Sequence, residues 1–349
     1  MELIEHLIDA ISMPKCIRVS ENLLALRFES MKLASCSTAV KALLTEGRIN
    51  STTTLVDSSS GIYAYALALT CQKYSLPCHV IASTTVDDTL LLQLKALGAT
   101  VEQVPASKSL KYDQEFRVRR VHEYLARNEN SYWMRQYHDR KHYLGYQEIG
   151  TQLGTLLTRE FGDKSINLVC PVGSGASSGG LFNGLKRTCN DLQLNGIQPF
   201  GSVSFGSECI QDPDILVAGI GSAIPFDNIE YSIFKNIHWL SAEVDRHGTM
   251  RLLANTGIFA GLSTGAAYTV GQYLSERDSS SLTLFVCPDM GYRYAHILAG
   301  TKIDSQTPYT PQWITTLNQL SPPWSAMEWN GASYTPTTTS IDKDDNTDG

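Results

Sequence analysis

The 349-residue sequence lacks the features that mark several classes of protein. It has no run of basic residues, and 28 Lys and Arg against 35 Asp and Glu give a formal net charge of −7. This acidic balance argues against nucleic acid as a main partner, because phosphate backbones are bound by clustered cations. No uninterrupted apolar stretch is long enough to cross a bilayer, so we expect no membrane-spanning helix.

Cysteine motifs and a secretory signal are absent as well. The eight cysteines are scattered and include no C-x-x-C pair. In a chain of this length, that pattern is typical of reduced cytosolic thiols and predicts neither a disulfide framework nor a metal site. Residues 1–16 lack the basic segment and the apolar block of a secretory signal. We therefore expect a cytoplasmic protein.

What the sequence does contain is an alternation of strand-like and helix-like segments. This order predicts an α/β protein with a parallel sheet covered by helices, in which ligands bind beyond the carboxyl ends of the strands. The predicted strands are residues 52–58, 78–84, 100–106, 166–173, 199–206 and 282–289. The predicted helices are residues 63–75, 88–99, 116–129, 148–161 and 181–189.

The loop GSGASSGGLFNG, residues 173–184, lies between a predicted strand and a predicted helix. Backbone N–H groups and a helix N-terminus would converge there, which suits a phosphate group. The loop is not a G-x-x-x-x-G-K-[ST] motif, and Gly173, Gly175 and Ser178 miss the G-x-G-x-x-G spacing. From these residues alone, a phosphate site and a plain tight turn both remain open.

Several segments, in order, resemble the cysteine synthase and cystathionine β-synthase family of pyridoxal 5′-phosphate (PLP) enzymes. Residues 57–64, DSSSGIYA, are similar to the E-x-T-S-G-N-x-G loop of the family, and residues 95–101 to its K-x-x-G-A-x-V segment. The other segments are STAVKALL, MRQYHDRKHYLGYQEIGTQL, GSGASSGGLFNG, AGIGSAIP, AGLSTGAA and CPDMGYRYAH. The resemblance covers about residues 5–300, and the chain departs from the family pattern at several positions.

The resemblance implies fold type II, similar to the tryptophan synthase β subunit, with two α/β domains of parallel or mixed sheets around a cofactor cleft. It implies a smaller mobile domain over residues 40–150 and a larger PLP-binding domain from residues 1–39 and 151–305. It also implies a homodimer. Residues 306–349 form a Pro/Trp-rich extension and an acidic tail, for which composition predicts disorder at the tip.

By resemblance, the cofactor is PLP, and Lys41 is the lysine that binds it as a Schiff base and later moves the α-proton. The residues implied to cradle the phosphate are Ser177, Ser178, Gly179, Gly180 and Leu181. The residues implied to bind the substrate, chiefly its carboxylate, are Ser59, Ser60, Gly61, Tyr63, Gln136 and Gly221.

Two departures concern the pyridine ring. Ile62 stands where the family has an asparagine that bonds the ring hydroxyl, and isoleucine cannot donate a hydrogen bond. Met290 stands where the family often has a hydroxyl residue against the ring nitrogen, with Asp289 one residue earlier. Either the nitrogen is unpaired, or Asp289 turns in and protonates it.

The implied activity is PLP-dependent β-replacement on serine or an O-activated serine through an aminoacrylate, as in cysteine synthase. The nucleophile would be sulfide or an amine, in specialised amino-acid biosynthesis, and the binding partner a small amino-acid substrate. Two alternatives remain open: a β-elimination lyase of the dehydratase or desulfhydrase kind, and a catalytically degenerate homologue that acts as a binding subunit. The second alternative is motivated by the two lost ring contacts.

Overall fold

The computed structural model describes residues 3–84, 86–106, 110–212, 219–301 and 309–336, and its strands form two sheets. The strands are β1 (Lys15–Arg18), β2 (Leu23–Arg27), β3 (Thr54–Ser58), β4 (Cys78–Ser83), β5 (Thr100–Val104), β6 (Ser131–Trp133), β7 (Ile166–Pro171), β8 (Leu192–Pro199), β9 (Phe234–Leu240), β10 (Leu282–Cys287), β11 (Gln312–Ile314) and β12 (Trp324–Glu328).

The helices alternate with the strands over most of the chain. They are α1 (Leu7–Ile11), α2 (Met31–Thr45), α3 (Ile62–Tyr74), α4 (Asp88–Ala96), α5 (Leu110–Arg127), α6 (Leu144–Phe161), α7 (Ala176–Leu185), α8 (Ala242–Thr256), α9 (Leu262–Arg277) and α10 (Ala295–Leu298). The α/β class predicted from this alternation is confirmed.

The larger sheet has eight strands in the order β1-β2-β10-β7-β8-β9-β12-β11. Its centre, from β2 to β9, is parallel, while β1 pairs antiparallel with β2 and β12 pairs antiparallel with β9. All six residues of β10, LTLFVC, are buried, as expected for a strand covered by helices on both faces. The carboxyl ends of β2, β10 and β7 therefore meet at one edge of this sheet.

The smaller sheet has four parallel strands in the order β5-β4-β3-β6. All of them fall inside residues 40–150, the range assigned to the smaller domain. Helix α2 packs against this part of the chain through an apolar face that includes Leu33, Cys36 and Val40. On its other side, α2 contacts α6, where the Tyr146 hydroxyl donates to the Met31 carbonyl at 3.0 Å. The mobility of the smaller domain stays a prediction.

The C-terminal extension continues the larger sheet. Strand β12 pairs with β9, and β11 pairs with β12, so residues 312–328 add two strands beyond β9. Trp324 is buried in this addition, and its indole N–H donates to His238 Nδ1 at 3.3 Å. The acidic tip, residues 337–349, lies outside the described residues.

One predicted strand, residues 199–206, is wrong. Strand β8 ends at Pro199, and a turn and a 3₁₀ helix (Val203–Phe205) follow it. The true strand was missed because it carries buried polar residues that interrupt its apolar pattern. Asn195 accepts a hydrogen bond from Asn236 at 2.8 Å, and Gln198 donates to the Val172 carbonyl at 2.6 Å.

Two findings concern the part of the chain that the structure describes. In it, no helix has both the length and the apolar character that a bilayer crossing requires. Nor does any group of three or more His, Cys, Asp or Glu side chains there take up an arrangement that would hold a metal ion. All eight cysteines are free thiols.

Candidate active site

Helix α2 begins at the edge where β2 and β10 end. The Met31 N–H donates to the Pro288 carbonyl at 2.9 Å, and Ser30 forms an isolated bridge with Asp289. These contacts join the start of the helix to the segment that follows β10. They place the first turn of α2, with Lys32, at the carboxyl edge of the larger sheet, where open α/β sheets bind ligands.

Lys32 is a half-buried lysine with a perturbed amine. Desolvation disfavours its charged form and lowers its pKa to about 8, and the partial positive charge of the helix N-terminus acts in the same direction. Among the described residues, no carboxylate or hydrogen-bond acceptor pairs with its amine. An unpaired lysine whose pKa is depressed is the type of side chain that forms covalent links with carbonyl groups.

The structure does not bring Lys41 to this site. Lys41 lies nine residues further along α2 and is exposed to solvent. Nine helical residues correspond to about 13 Å along the axis and about two and a half turns, so the side chains of Lys32 and Lys41 point to opposite sides of the helix. The assignment of the coenzyme lysine to Lys41 is corrected on this ground. It rested on a helix start after residue 40, whereas the helix begins at Met31.

The glycine loop after β7 has the geometry of an anion site. Helix α7 begins at Ala176, and Gly175, at φ 85°, is its N-cap. A Cβ on Gly175 would lie 2.4 Å from the Asn228 carbonyl oxygen, and one on Gly173 would lie 2.2 Å from the Gly219 carbonyl oxygen. The loop therefore requires glycine at both positions, and it directs the first N–H groups of α7, which lack intrahelical acceptors, out of the helix end.

Of the five residues assigned to the phosphate cradle, Ser177 and Ser178 lie in the first turn of α7, where such N–H groups are available. Gly179, Gly180 and Leu181 do not fit the assignment. The Gly179 N–H is bonded to the Gly175 carbonyl at 2.9 Å, inside the helix.

The correction has a packing reason. A Cβ on Gly179 would lie 2.4 Å from the ring of Tyr143, one on Gly180 would lie 2.6 Å from Tyr146 Cβ, and Leu181 is fully buried. These residues let α7 pack closely on α6 and the turn before it. A phosphate cradle at this loop would therefore lie closer to the N-terminus, on residues 173–178.

Gly221 lies next to the same loop. Its N–H donates to the Val172 carbonyl at 2.9 Å, and it adopts φ 68°. A Cβ there would lie 2.6 Å from the ring of Pro199. Gly221 thus belongs to the segment that encloses the glycine loop, and its assignment to substrate binding stays a prediction.

A second loop, between β3 and α3, is fixed by a buried carboxylate. Asp57 Oδ1 accepts the Ser58 N–H at 2.8 Å and the Trp133 indole N–H at 3.1 Å, while Oδ2 accepts the Gln136 N–H at 3.1 Å. Burial raises the pKa of Asp57 to about 6, although these three donors favour the charged form. The Gln136 amide donates to the Ser58 carbonyl at 3.0 Å. The structure thus brings Gln136 to the loop that contains Ser59.

The start of α3 separates the predicted binding residues into two groups. Gly61 is the N-cap, and Ser60 and Ile62 line a cavity of about 760 Å³. Tyr63 turns the other way: it is buried, and its hydroxyl contacts His142 Nε2 at 2.8 Å. Tyr63 is therefore not brought to the cavity.

The protonation state of His142 follows from its two contacts. Its Nδ1 lies 3.1 Å from the Asp139 carbonyl oxygen, which only accepts, so Nδ1 carries the proton and Nε2 accepts from Tyr63. Burial lowers the pKa of His142 to about 4, and the charge of Lys32 acts in the same direction. This neutral pair was not anticipated from the sequence, because residues 79 positions apart contribute it.

Asp289 and Met290 also line the cavity. The Tyr294 hydroxyl donates to Asp289 Oδ2 at 3.1 Å, and burial raises the pKa of this carboxyl group to about 6. The Met290 sulfur accepts a hydrogen bond from the Arg27 guanidinium. Pairing of the ring nitrogen by Asp289 stays a prediction, whereas Met290 offers that nitrogen no hydroxyl group.

These features fit PLP. The glycine loop has no room for a Cβ at Gly173 or Gly175, and it leads into a helix N-terminus with free N–H groups, which suits a phosphate ester. Lys32 provides an unpaired amine of lowered pKa, which suits an aldehyde. Ile62 gives the cavity an apolar wall.

Comparison with known proteins agrees with this geometry. The family model described as "Pyridoxal-phosphate dependent enzyme" matches residues 21–289, and the chain belongs to this family. N-(2-amino-2-carboxyethyl)-L-glutamate synthase of Cupriavidus metallidurans is 32% identical over 264 residues, covering 72% of this chain and 73% of the relative. The predicted cofactor, PLP, is thereby confirmed, as is the assignment to PLP-dependent enzymes of the cysteine synthase type.

Solved structures confirm the fold. The O-acetylserine-dependent cystathionine β-synthase of Helicobacter pylori superimposes with a TM-score of 0.74 at 22% identity, over 85% of this chain and 98% of that one. Cysteine synthase of Entamoeba histolytica gives 0.76 at 16% identity, over 88% and 94%. The predicted fold type II architecture is therefore confirmed.

Proposed function

We propose that this protein catalyses PLP-dependent β-replacement on serine or an O-activated serine, with Lys32 as the lysine that binds the coenzyme. The observation that carries the proposal is the half-buried, unpaired amine of Lys32, with its lowered pKa, in the first turn of α2. The family membership and the glycine loop at α7 support the cofactor. When bound, PLP supplies an electron sink that makes the α-proton of an amino acid acidic.

The chain's own residues then have distinct tasks. Lys32 would hold the coenzyme through its side-chain amine, and that amine, when free, would be the base that removes the α-proton. The N–H groups at Ser177 and Ser178 hold the phosphate, because a helix N-terminus favours an anion. Gln136, which is held by Asp57 and the Ser58 carbonyl, binds the substrate carboxylate at the start of α3 together with the neighbouring Ser59.

An amine is the proposed nucleophile. The name of the Cupriavidus relative describes a product in which a 2-amino-2-carboxyethyl group is attached to the nitrogen of glutamate. Such a product arises when an amine attacks the β-carbon of a serine derivative. The cavity beside Ser60 and Ile62, at about 760 Å³, has room for a second small substrate.

Product analysis tests replacement against elimination. The holoprotein is incubated with serine, O-acetylserine or O-phosphoserine, each with and without glutamate or sulfide. We expect a β-substituted alanine whose formation requires the nucleophile. Equal release of pyruvate and ammonia with and without nucleophile would instead identify a lyase. A protein that takes up no PLP would be a degenerate binding subunit.

The pKa of Lys32 predicts how coenzyme attachment depends on pH. Only the neutral amine attacks the aldehyde, and below a pKa of about 8 its fraction rises about tenfold per pH unit. The rate constant for attachment of PLP to the apoprotein should therefore rise about tenfold from pH 6 to pH 7 and level off above about pH 8. Stopped-flow absorbance measures it. A rate that keeps rising up to pH 10, as with an ordinary lysine, would contradict the assignment.

We also propose that the enzyme is a cytoplasmic homodimer with a mobile smaller domain. Free thiols at all eight cysteines are typical of a reducing compartment. The resemblance to cysteine synthases supports the dimer, and light scattering of the purified holoprotein would measure the mass in solution.

A further inference from the structure

The mouth of the cavity carries an ion pair that the proposed chemistry does not use. Arg293, in the 3₁₀ helix Gly291–Tyr294, places Nη2 3.0 Å from Asp87 Oδ2. Asp87 is the N-cap of α4, and its other oxygen accepts the Leu90 N–H at 2.8 Å. The pair joins the part of the chain that contains the smaller sheet to the segment after β10, and both residues line the cavity.

The pair is weak enough to exchange partners. The side chains of Arg293 and Asp87 are 36% and 47% exposed, and ion pairs at such positions contribute little to stability. Among the described residues that line the cavity, Arg293 is the one Lys or Arg side chain, beside three carboxylates, Glu29, Asp87 and Asp289. An incoming anion therefore has one permanently positive group to bind. To bind it, the anion replaces one carboxylate oxygen of Asp87 as the partner of Arg293.

We propose that Arg293 binds a carboxylate of the nucleophilic substrate, in exchange for Asp87, and so selects an amino-acid nucleophile over sulfide. This inference rests on the proposed function. A guanidinium group presents paired N–H donors that match a carboxylate in a bidentate geometry. Arg293 lines the same cavity as Ser60 and Ile62, which lie at the start of α3, next to the loop proposed to bind the donor substrate.

A purely structural role for Arg293, as a clamp between the two parts of the chain, makes a different prediction. If the ion pair were a clamp, removing either partner would have the same effect on all substrates. If Arg293 is the carboxylate site, removing Asp87 frees it for substrate. The Asp87→Asn variant is a matched control, because asparagine also caps helix N-termini well.

The experiment measures KM for glutamate and for sulfide at a saturating donor, together with the binding of glutamate to the holoprotein by calorimetry. In Arg293→Gln we expect KM and Kd for glutamate to rise about 10- to 100-fold, as for loss of one charge-assisted pair, with KM for sulfide within about twofold. In Asp87→Asn we expect the glutamate constants to be unchanged or lower.

Three outcomes would overturn the inference: unchanged glutamate constants in Arg293→Gln, equal losses in both variants for both nucleophiles, or a wild-type enzyme that uses sulfide but not glutamate. In each of these, turnover with sulfide leaves the proposed β-replacement intact, although the third outcome would replace the proposed amine nucleophile with sulfide. If the wild type forms no product with either nucleophile, the proposed function is wrong, and the proposed role of Arg293, which depends on it, is wrong as well.

Discussion

Replacing Lys32 with alanine is expected to remove both the visible absorption of the lysine-bound coenzyme and the activity. The loss of proton transfer alone should lower kcat by about 10²- to 10⁴-fold. The phosphate site at α7 remains in this variant, so PLP still binds, but without a covalent bond to the protein. Absorbance spectroscopy and turnover with a serine derivative measure the two effects.

Lys41→Ala provides the matched control, because it removes a lysine from the same helix at an exposed position. We expect its spectrum and kcat to equal those of the wild type. The opposite pattern, with Lys41→Ala colourless and Lys32→Ala unchanged, would restore the assignment made from the sequence.

The second large effect is expected at the glycine loop. In Gly175→Ala the new Cβ would lie 2.4 Å from the Asn228 carbonyl oxygen, and a non-glycine residue at φ 85° is strained by about 1–2 kcal/mol in addition. Because the clash is with backbone, the start of α7 must move. We expect the Kd for PLP to rise at least about 100-fold, which corresponds to about 3 kcal/mol. Titration of the apoprotein with PLP measures it.

Gly257→Ala separates backbone strain from the clash. Gly257 has φ 75° and ψ 0°, similar to the φ 85° and ψ −17° of Gly175, but a Cβ there meets nothing within 4 Å. This variant should lose about 1–2 kcal/mol of unfolding free energy and bind PLP as the wild type does. Wild-type PLP affinity in Gly175→Ala would show that the loop is not the phosphate site.

Short patterns in the sequence predicted those parts of the fold that are determined by consecutive residues. The alternation of segments predicted the α/β class, and the glycine-rich stretch predicted a strand-to-helix loop at the right place. The residue at which helix α7 begins could not be predicted from the sequence. It depends on which glycines allow close packing and which form the loop, and this is decided by the approach of Tyr143 to Gly179 and of Gly219 to Gly173.

The error at Lys41 has a similar origin. The start of α2 is fixed by a hydrogen bond from Met31 to Pro288, which is 257 residues away, and no local pattern reports it. One local signal was available: Ser30 is a residue type that favours the N-cap, and Lys32 follows within the first turn. The contact of Tyr63 with His142 could not be predicted for the same reason, since His142 comes from another segment.

The central claim is that Lys32 carries the coenzyme, and reductive trapping tests it directly. The holoprotein is reduced with borohydride, digested with trypsin, and the labelled peptide is identified by mass spectrometry. Trypsin does not cleave after a modified lysine, so a label on Lys32 gives a peptide of residues 28–41, and a label on Lys41 gives residues 33–48. We predict the label on the first peptide; a label on the second, or on neither, would contradict the account.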